Sequence, residues 1–502
     1  MSDDRLGEPL VATDGTFAPA SWNVALRRAA ALVSEAITEG GATSVAILGG
    51  ARGTNEDAFA WASFAKALGV TSVDAQMGDG LPPSVFSYPQ ATIDEAAHAA
   101  TVILLGPDLK EELPVLHLRL RDASEKKRSR LVELSPKETG LTRYAWKSTL
   151  HEPGHQAAAV DALLDDPTVA GQIASGSVVV VVGRGNLAES PEFTMDALRR
   201  LVARIPGAKV LPVLRRGNVR GAIHAGLSST DTADVLRAAI DGRVNCLVTV
   251  GADPIADFPD SDLVRRAMAA IPRHISVDTF LTASNQNADV VLPAAAFGEK
   301  DGTTTNAEGR VTQLARKITV HGTSRPDWMI AVELADLLGV ELPMGSVHEV
   351  HDAMVATVPE FAPVTREALR QNPDGVLAAE TRERRDEIAA RTPNERAGFA
   401  YRLVVSRKLY DNGRNVEKSP SLAPLAPGSA LHLHPLDLDR LGAVDGAQVK
   451  VIGDRTSIVM KVQSDASVQR GTAWAPFNQS GPDIGELIDA SRPVNDVRVE
   501  TL

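Results

Sequence analysis

The densest run of chemically capable side chains in the 502 residues lies between Ala288 and Arg310, ADVVLPAAAFGEKDGTTTNAEGR. An apolar strand runs into Pro293, and a loop then carries Glu299, Lys300 and Asp301. A turn falls at Gly302, and a threonine-rich strand delivers Asn306, Glu308 and Arg310. Amides, hydroxyls and a guanidinium gathered at the strand ends of a parallel sheet suit a polar, phosphate-bearing ligand. They equally suit the satisfaction of buried loop carbonyls, and residue type does not separate the two uses. A second candidate, Gly183-Arg184-Gly185-Asn186-Leu187-Ala188, fits G-x-G-x-x-A between a strand and a helix, where backbone amides can cradle a phosphate. The next strand, KVLPVLRR, ends in Arg215 and Arg216 instead of the acidic residue that an NAD ribose requires. Those arginines would suit NADP, but Glu189 and Pro191 crowd the helix start.

Other reactive residues point away from chemistry. His151 and His155 have the i, i+4 spacing of a metal pair, but Pro153-Gly154 between them prevents the helix that would align them. His432 and His434 share a strand face with no carboxylate or thiol nearby in sequence to complete a site. Cys246 opens an apolar strand and reads as a small core residue; as the only cysteine it excludes an internal disulfide and any cluster held by cysteines of these residues alone. Lys126-Lys127-Arg128-Ser129-Arg130 reads as the solvated last turn of a helix, where cations suit the dipole. A balance of 52 basic against 64 acidic residues, net −12, and 4% aromatics argue against a nucleic-acid surface.

The elements able to position such groups recur through the first 300 residues as short apolar runs ending in glycine, each followed by helix-like sequence. They are SVAILGG at 44–50, TVILLGPD at 101–108, SVVVVVGRG from Ser177 and CLVTVGAD from Cys246. Strands apolar on both faces and alternating with helices imply parallel sheet covered on both sides. The runs fall into two pairs. Residues 101–108 align without gaps on 246–253, Leu141-Thr142 matches Leu281-Thr282, and Ser44 opens the run that matches the one from Ser177. This implies an internal duplication, although any two such units share much of this look. The expected domains are 1–160, 161–345 as a pseudo-repeat of the first, an exposed helical connector over 346–400, and a small closed barrel over 401–502. In the last, short strands are separated by turns at Asp411-Asn412-Gly413, Asp445-Gly446 and Gly453-Asp454. The acidic N-terminus lacks a signal-type apolar stretch, and the longest branched run, Val178 to Val182, is far short of the roughly 20 residues that span a bilayer.

The segment ADVVLPAAAFGEKDGTTTNAEGRV resembles the signature of the molybdopterin oxidoreductase superfamily, in the form found in the large peripheral-arm subunit, the G-type subunit, of NADH-quinone oxidoreductase, respiratory complex I. GDGLPPSVFSYPQATIDEAAHAATVILLGPDLKEELPVLHLRLR, YDNGRNVEKSPSLAPL, AWAPFNQSG and DVRVETL resemble its actinobacterial version, so the likeness covers nearly the whole chain. It implies two related parallel-sheet α/β domains of the formate dehydrogenase/DMSO reductase type followed by a double-psi β-barrel. Relatives in complex I normally begin with iron-sulfur segments. Here RLGEPLVATDGTFAPASWNVALRRAA resembles the start of the molybdopterin-like part, which places the clusters in a partner or a missing preceding segment. In catalytic relatives a Cys, selenocysteine, Ser or Asp binds the metal beside pterin dithiolenes. The corresponding stretch, SVDAQMGDGLPPS, offers Asp74, Asp79 and Ser84 but no thiol.

The complex I branch implies a remnant fold, so the leading expectation is an architectural subunit with no cofactor and no catalytic residue of its own. It would pack beside the flavin and iron-sulfur subunits of the peripheral arm, at the cytoplasmic face of the bacterial plasma membrane, with no direct membrane insertion. The alternative is a catalytic molybdenum or tungsten bis-pterin subunit working with a separate iron-sulfur protein. Molybdopterin guanine dinucleotide would then lie near Gly183, Gly185, Gly251, Asp253, Asp278, Asn306 and Arg310, with Phe477 and Asn478 of the barrel closing over it. A third reading, an NADP-binding module at Gly183, predicts binding that is lost in Gly185→Asp.

Overall fold

Runs of valine, isoleucine and leucine buried on both faces build the central sheets. A computed structural model describes residues 4–380, 391–396, 398 and 400–502. In chain order the first strands are β1 (Leu10–Thr13), β2 (Thr16–Pro19), β3 (Val45–Gly49), β4 (Ser72–Asp74), β5 (Thr101–Leu105), β6 (Arg130–Ser135), β7 (Lys147–Leu150), β8 (Val178–Val182) and β9 (Lys209–Pro212). They are followed by β10 (Cys246–Val250), β11 (Arg273–Asp278) and β12 (Val290–Pro293). The chain forms two units. The first comprises Met1–Gly78, Arg215–Phe258 and Leu263–Thr381; the second comprises Asp79–Leu214, Pro259–Asp262 and Arg382–Leu502.

The first unit holds a sheet of order β2-β1-β12-β11-β10-β3-β4, parallel from β12 to β4 with an antiparallel hairpin on one edge. The second holds the all-parallel sheet β7-β6-β5-β8-β9. Read across, β12-β11-β10-β3-β4 corresponds strand for strand to β7-β6-β5-β8-β9. The run matched at residue 101 is β5 and its counterpart at 246 is β10; those at 44 and 177 are β3 and β8. The duplication is therefore one of sheets. It does not follow the expected division at residue 160, because the first sheet is assembled from chain on both sides of the inserted Asp79–Leu214. Sequence alignment identifies strands of equivalent role, whereas partners in a parallel sheet can be separated by any length of crossover.

In the second unit, alternate residues of β5 and β8 feed two cores. Ile103, Leu105, Val180 and Val182 pack with Leu163, Leu198 and Leu201 on one face. Val102, Leu104, Val179 and Val181 pack with Leu116 and Leu120 on the other. At about 1.5–3 kcal/mol per fully buried large apolar side chain, this two-sided burial accounts for the unbroken branched runs.

In the first unit, β13 (Gly302–Thr305), β14 (Arg310–Leu314) and β15 (Val376–Leu377) form a small antiparallel sheet. Among the described residues of the connector expected over 346–400, α-helix covers Val347–Thr357 and Arg366–Gln371, with a single 3-10 turn at Pro359–Phe361. Asn372-Pro373-Asp374-Gly375 ends the second helix, with Gly375 at φ +93°, and the chain enters β15. Residues 391–396 contain no helix; 381–390, 397 and 399 lie outside the described residues.

In the second unit, β16 (Tyr401–Ser406), β17 (Leu431–Leu433), β18 (Gln448–Ile452), β19 (Ser457–Ser464), β20 (Thr472–Pro476) and β21 (Asp496–Thr501) close into a barrel of order β16-β20-β17-β19-β18-β21. Leu403, Val405, Leu431, Leu433, Val449, Val451, Val462 and Val497 fill it, joined by Leu187 and Ala188.

Candidate functional site

Each central sheet reverses its winding at one place, between β3 and β10 in the first unit and between β5 and β8 in the second. Ligands of open α/β sheets bind outside the carboxyl ends of strands at such switch points. In the first unit those ends are Gly49 and Gly50, at φ +120° and +92°, and Gly251 at φ +55°. A Cβ on Gly49 would lie 2.1 Å from the Val250 carbonyl oxygen. Gly49→Ala is accordingly expected to destabilise the chain by more than about 2 kcal/mol, combining a forbidden backbone conformation with overpacking, as read from the urea midpoint. The Arg52 guanidinium donates to the Gly251 carbonyl at 3.0 Å and pairs with Asp257 at 2.8 Å, while remaining 38% exposed. Arg216, at φ +78°, approaches the same Asp257 carboxylate at 3.5 Å and donates to the Gln76 carbonyl. Asp253 accepts from the Ser284 hydroxyl at 2.5 Å, and Asp278, at the end of β11, accepts from the Thr279 and Phe280 amides. Gly251, Asp253 and Asp278 thus gather at the ends of neighbouring strands. Arg52 and Asp257 were not foreseen; their only signal was the Gly-Ala-Arg-Gly that follows β3.

The signature segment is engaged internally. Glu299 holds Arg5, Lys300 bridges Asp57 at 2.6 Å and Asp327 at 3.3 Å, and the Thr303 amide and hydroxyl donate to Glu56. Thr305 donates through its amide to Asn218 and through its hydroxyl to Asn55. Burial pushes Asp327 up to about 7, against the pull of Lys300. Burial lowers the His351 imidazole, but the Glu56 carboxylate 2.9 Å away and the Val364 carbonyl raise it above the ordinary value. The Asn306 side chain accepts from the Glu308 and Arg310 amides and closes the β13–β14 turn, while Arg310 pairs with Glu308 at 2.6 Å. Asn306 and Arg310 therefore engage the hairpin, because amides and hydroxyls at a strand end are as good at satisfying backbone as at holding a ligand.

In the second unit, the carboxyl ends of β5 and β8 carry Gly106 and Gly183. Added Cβ atoms would meet the Gly183 nitrogen at 2.8 Å from Gly106, the Val213 carbonyl at 2.5 Å from Gly183 and the Gly106 carbonyl at 2.8 Å from Gly185. The following helix begins only at Glu192. Its start is displaced because Asn186 plugs into β16, donating to the Leu403 carbonyl and accepting from the Val405 amide. The loop after Gly185 is thus an anchor for the barrel and does not present amides of a helix start, contrary to the G-x-G-x-x-A reading. On the barrel, Asn478 follows β20 at φ +53°, and its Nδ2 is buried without a hydrogen-bond partner. Beside it Phe477 carries the Arg407 guanidinium 4.6 Å above its ring, and Arg407 pairs with Asp79 at 2.7 Å.

Of the possible oxygen ligands for a metal, Asp74 and Asp79 are engaged, Asp79 by Arg407. Asp74 accepts from the Gln76 amide and from the Thr232 amide and hydroxyl, and burial pushes it up to about 6. Among the described residues no three His, Cys, Asp or Glu side chains group as metal ligands. His151 is buried and His155 exposed, so they do not form a pair, and His432 pairs with Asp465 at 3.2 Å. Burial pushes the Cys246 thiol up to about 12.

The sequence profile described as Molybdopterin oxidoreductase matches residues 5–337, and that described as Molydopterin dinucleotide binding domain matches residues 401–500. The chain belongs to the molybdopterin oxidoreductase family. Among relatives, the NADPH-Fe(3+) oxidoreductase subunit alpha of Geobacter sulfurreducens is 25% identical over 99% of this chain and 68% of its own length. The G-type subunit of NADH-quinone oxidoreductase from Mycobacterium tuberculosis is 28% identical over 94% of this chain and 60% of its own. Acetylene hydratase from Pelobacter acetylenicus shares the fold, with TM-score 0.75 and 13% identity over 100% of this chain and 92% of its own.

These matches correct the expectation that the chain carries no cofactor: residues 5–337 and 401–500 match the molybdopterin oxidoreductase and molybdopterin dinucleotide-binding families, which indicates a molybdopterin cofactor. The residues fit such a group. A pterin dinucleotide needs close backbone approach for its phosphates, a cation beside them, and amide or carboxylate partners for sugar and base. The first unit offers Gly251, where a Cβ would meet only the Arg52 Cβ at 3.8 Å, with Arg52, Asp253 and Asp278 beside it; the second offers the unpartnered Asn478 amide, while at Gly49, Gly50, Gly106, Gly183 and Gly185 the chain itself fills the Cβ position. No helix among the described residues is long and apolar enough to cross a membrane.

Proposed function

We propose that this chain is the molybdopterin-holding body of a nicotinamide-linked oxidoreductase complex, in the place of the peripheral-arm subunit of an NADH-quinone oxidoreductase. The observation that carries the reading is the open strand end at Gly251 in the first unit and the unpartnered, buried Asn478 amide in the second, in a chain matched over most of its length by pterin-binding families. Gly251 and its neighbours in the first unit would admit a phosphate close to the backbone, with Arg52 beside it, and Asp253 and Asp278 would accept from sugar or base. In the second unit Gly183 and Gly185 flank the β8 end, and Asn478 would donate to the base. Asn306 and Arg310 would act only by fixing the hairpin. When bound, the group supplies two-electron redox chemistry. Both named relatives are subunits of NADPH- or NADH-linked oxidoreductases, which supports flavin and iron-sulfur partners. Cys246, buried and held protonated, offers no cluster ligand, so cysteine-held iron-sulfur clusters would lie outside these 502 residues. Attachment to the inner face of the plasma membrane would come through the assembly.

The test is the chain purified with its native assembly, assayed for pterin by oxidative release and fluorescence and for molybdenum or tungsten by elemental analysis. Pterin retained in proportion to the chain is expected, together with co-purifying flavin and iron-sulfur subunits. Asn478→Gly should lower retained pterin about tenfold, the worth of one buried hydrogen bond to a polar ligand, without lowering Tm, because Nδ2 has no partner within the chain and glycine adopts φ +53° without strain. A pterin-free assembly, or retention unchanged by the substitution, would overturn the reading.

A further inference from the structure

A different surface of the second unit points to a partner unrelated to the cofactor. On the helix Pro114–Glu125, Leu116, Leu120 and Ala123 are buried, and Leu116 and Leu120 enter the sheet core. Val115 and Leu118, three residues apart on the outer face, are 71% and 56% exposed. Trp146 is 42% exposed, and its amide donates to the Leu131 carbonyl just beyond the turn that ends this helix. The segment is held there by Ser124, whose hydroxyl donates to the Tyr144 carbonyl at 2.6 Å, and by Arg121 and Arg143 over the Tyr144 ring. Between these apolar ends lie Arg119, Arg121, Lys126, Lys127, Arg128 and Arg130 against Asp122, Glu125 and, 3.8 Å from Arg119, Asp94, in a chain of net charge −12.

Asp122 is shared by Lys126 and Arg128, and Glu125 pairs with Arg121. Among the described residues Lys127 makes no ion pair. It adopts φ +54°, the left-handed conformation at a helix end that glycine takes without strain. A charge is thus kept at a position where backbone conformation favours its loss.

We propose that this face, the outer side of Pro114–Glu125 with residues 126–130 and 143–147, adsorbs to an anionic lipid surface. Exposed aliphatic residues and tryptophan flanking lysine and arginine are the composition of interfacial binding, where apolar side chains enter the headgroup boundary and cations meet anionic lipid. The helix is 12 residues long, about 18 Å, so it lies on the surface and does not cross it.

The experiment is co-sedimentation of the full chain with vesicles of phosphatidylcholine alone or with phosphatidylglycerol added. Binding is expected on the anionic vesicles only. It should fall on moving from about 0.1 M salt, where the screening length is about 10 Å, to about 1 M, where it is about 3 Å. Lys127→Gly should weaken binding about fivefold, the effect of one surface cation, while Tm stays equal or rises as the left-handed position is relieved. Leu118→Asp, on an exposed site, should abolish binding at unchanged Tm. Absence of sedimentation, equal binding to neutral vesicles, or indifference to both substitutions would overturn the proposal. So would a photo-crosslinker at Leu118 that captures a protein subunit from a chain that binds no vesicle.

Discussion

Lys300→Met is expected to lower the unfolding free energy by about 3–5 kcal/mol, because it leaves the Asp57 and Asp327 carboxylates buried without their cation. Lys300, Asp57 and Asp327 are all nearly inaccessible, and the ammonium is the only cation within ion-pair distance of either carboxylate among the described residues. Asp57 retains the Thr54 and Trp328 amides, so the larger share of the deficit falls on Asp327. Its carboxyl already sits at about 7 in the folded chain against 3.8 as a free side chain. With a raised folded value, ionisation of Asp327 opposes folding progressively from about pH 4 to pH 7. Loss of Lys300 raises the folded value further. The deficit should therefore widen as pH rises and shrink toward pH 4, where a protonated Asp327 needs no counter-charge. Urea unfolding of both proteins at several pH values measures this. A deficit below about 1 kcal/mol, or one flat with pH, would show that the lysine is not what compensates the two acids. Adding Asp327→Leu should recover part of the loss, since an apolar group of similar size removes one stranded charge.

The same triad marks the limit of what could be read beforehand. The strands were legible because burial on both faces writes itself as unbroken branched runs, and the pairing of 101 with 246 and of 44 with 177 named the equivalent strands of two sheets. Which strands would hydrogen-bond was not legible. Nothing in SVAILGG says that its neighbour is Cys246–Val250 and not Thr101–Leu105, since parallel partners are chosen by crossovers of any length. At the site, Gly251, Asp253 and Asp278 were named by the resemblance alone, and the fold puts them at the ends of β10 and β11. Asn306 and Arg310 could be read from residue type either as ligand groups or as satisfying their own loop; in the fold they close a hairpin, and a side chain that closes its own turn and one that faces a nucleotide have the same sequence. Arg52 and Asp257 escaped notice for the converse reason: they are 205 residues apart and become one ion pair only through the β3–β10 ladder.

Glu189→Gln is expected to do the reverse of Lys300→Met and stabilise the chain by about 3 kcal/mol above pH 8, with little effect near pH 4. Burial pushes the Glu189 carboxyl up to about 7 from 4.5, despite the Gly154 amide, the nearby Arg184 and the Gln156 amide that favour the charged form. A rise of about 2.5 units corresponds to about 3 kcal/mol at 1.36 per unit. The unfolded chain ionises this group near 4.5 and the folded chain near 7, so stability falls across that interval and stays low above it. The neutral amide removes this slope. It also finds a partner: Gln156 Oε1 is buried with nothing to accept from, and a flipped Gln156 would accept from the new amide while Gly154 still donates to the side-chain oxygen that remains at position 189. His151, on the same loop as Gly154, acts on the other limb. Burial holds its imidazole down to about 4, so stability that depends on it is lost as pH falls from about 6.5 through 4. The substituted chain should keep that acid limb and lose only the alkaline decline. Thermal unfolding from pH 4 to pH 9 separates the two, and an alkaline decline that persists undiminished would assign it to other groups and remove Glu189 from the account.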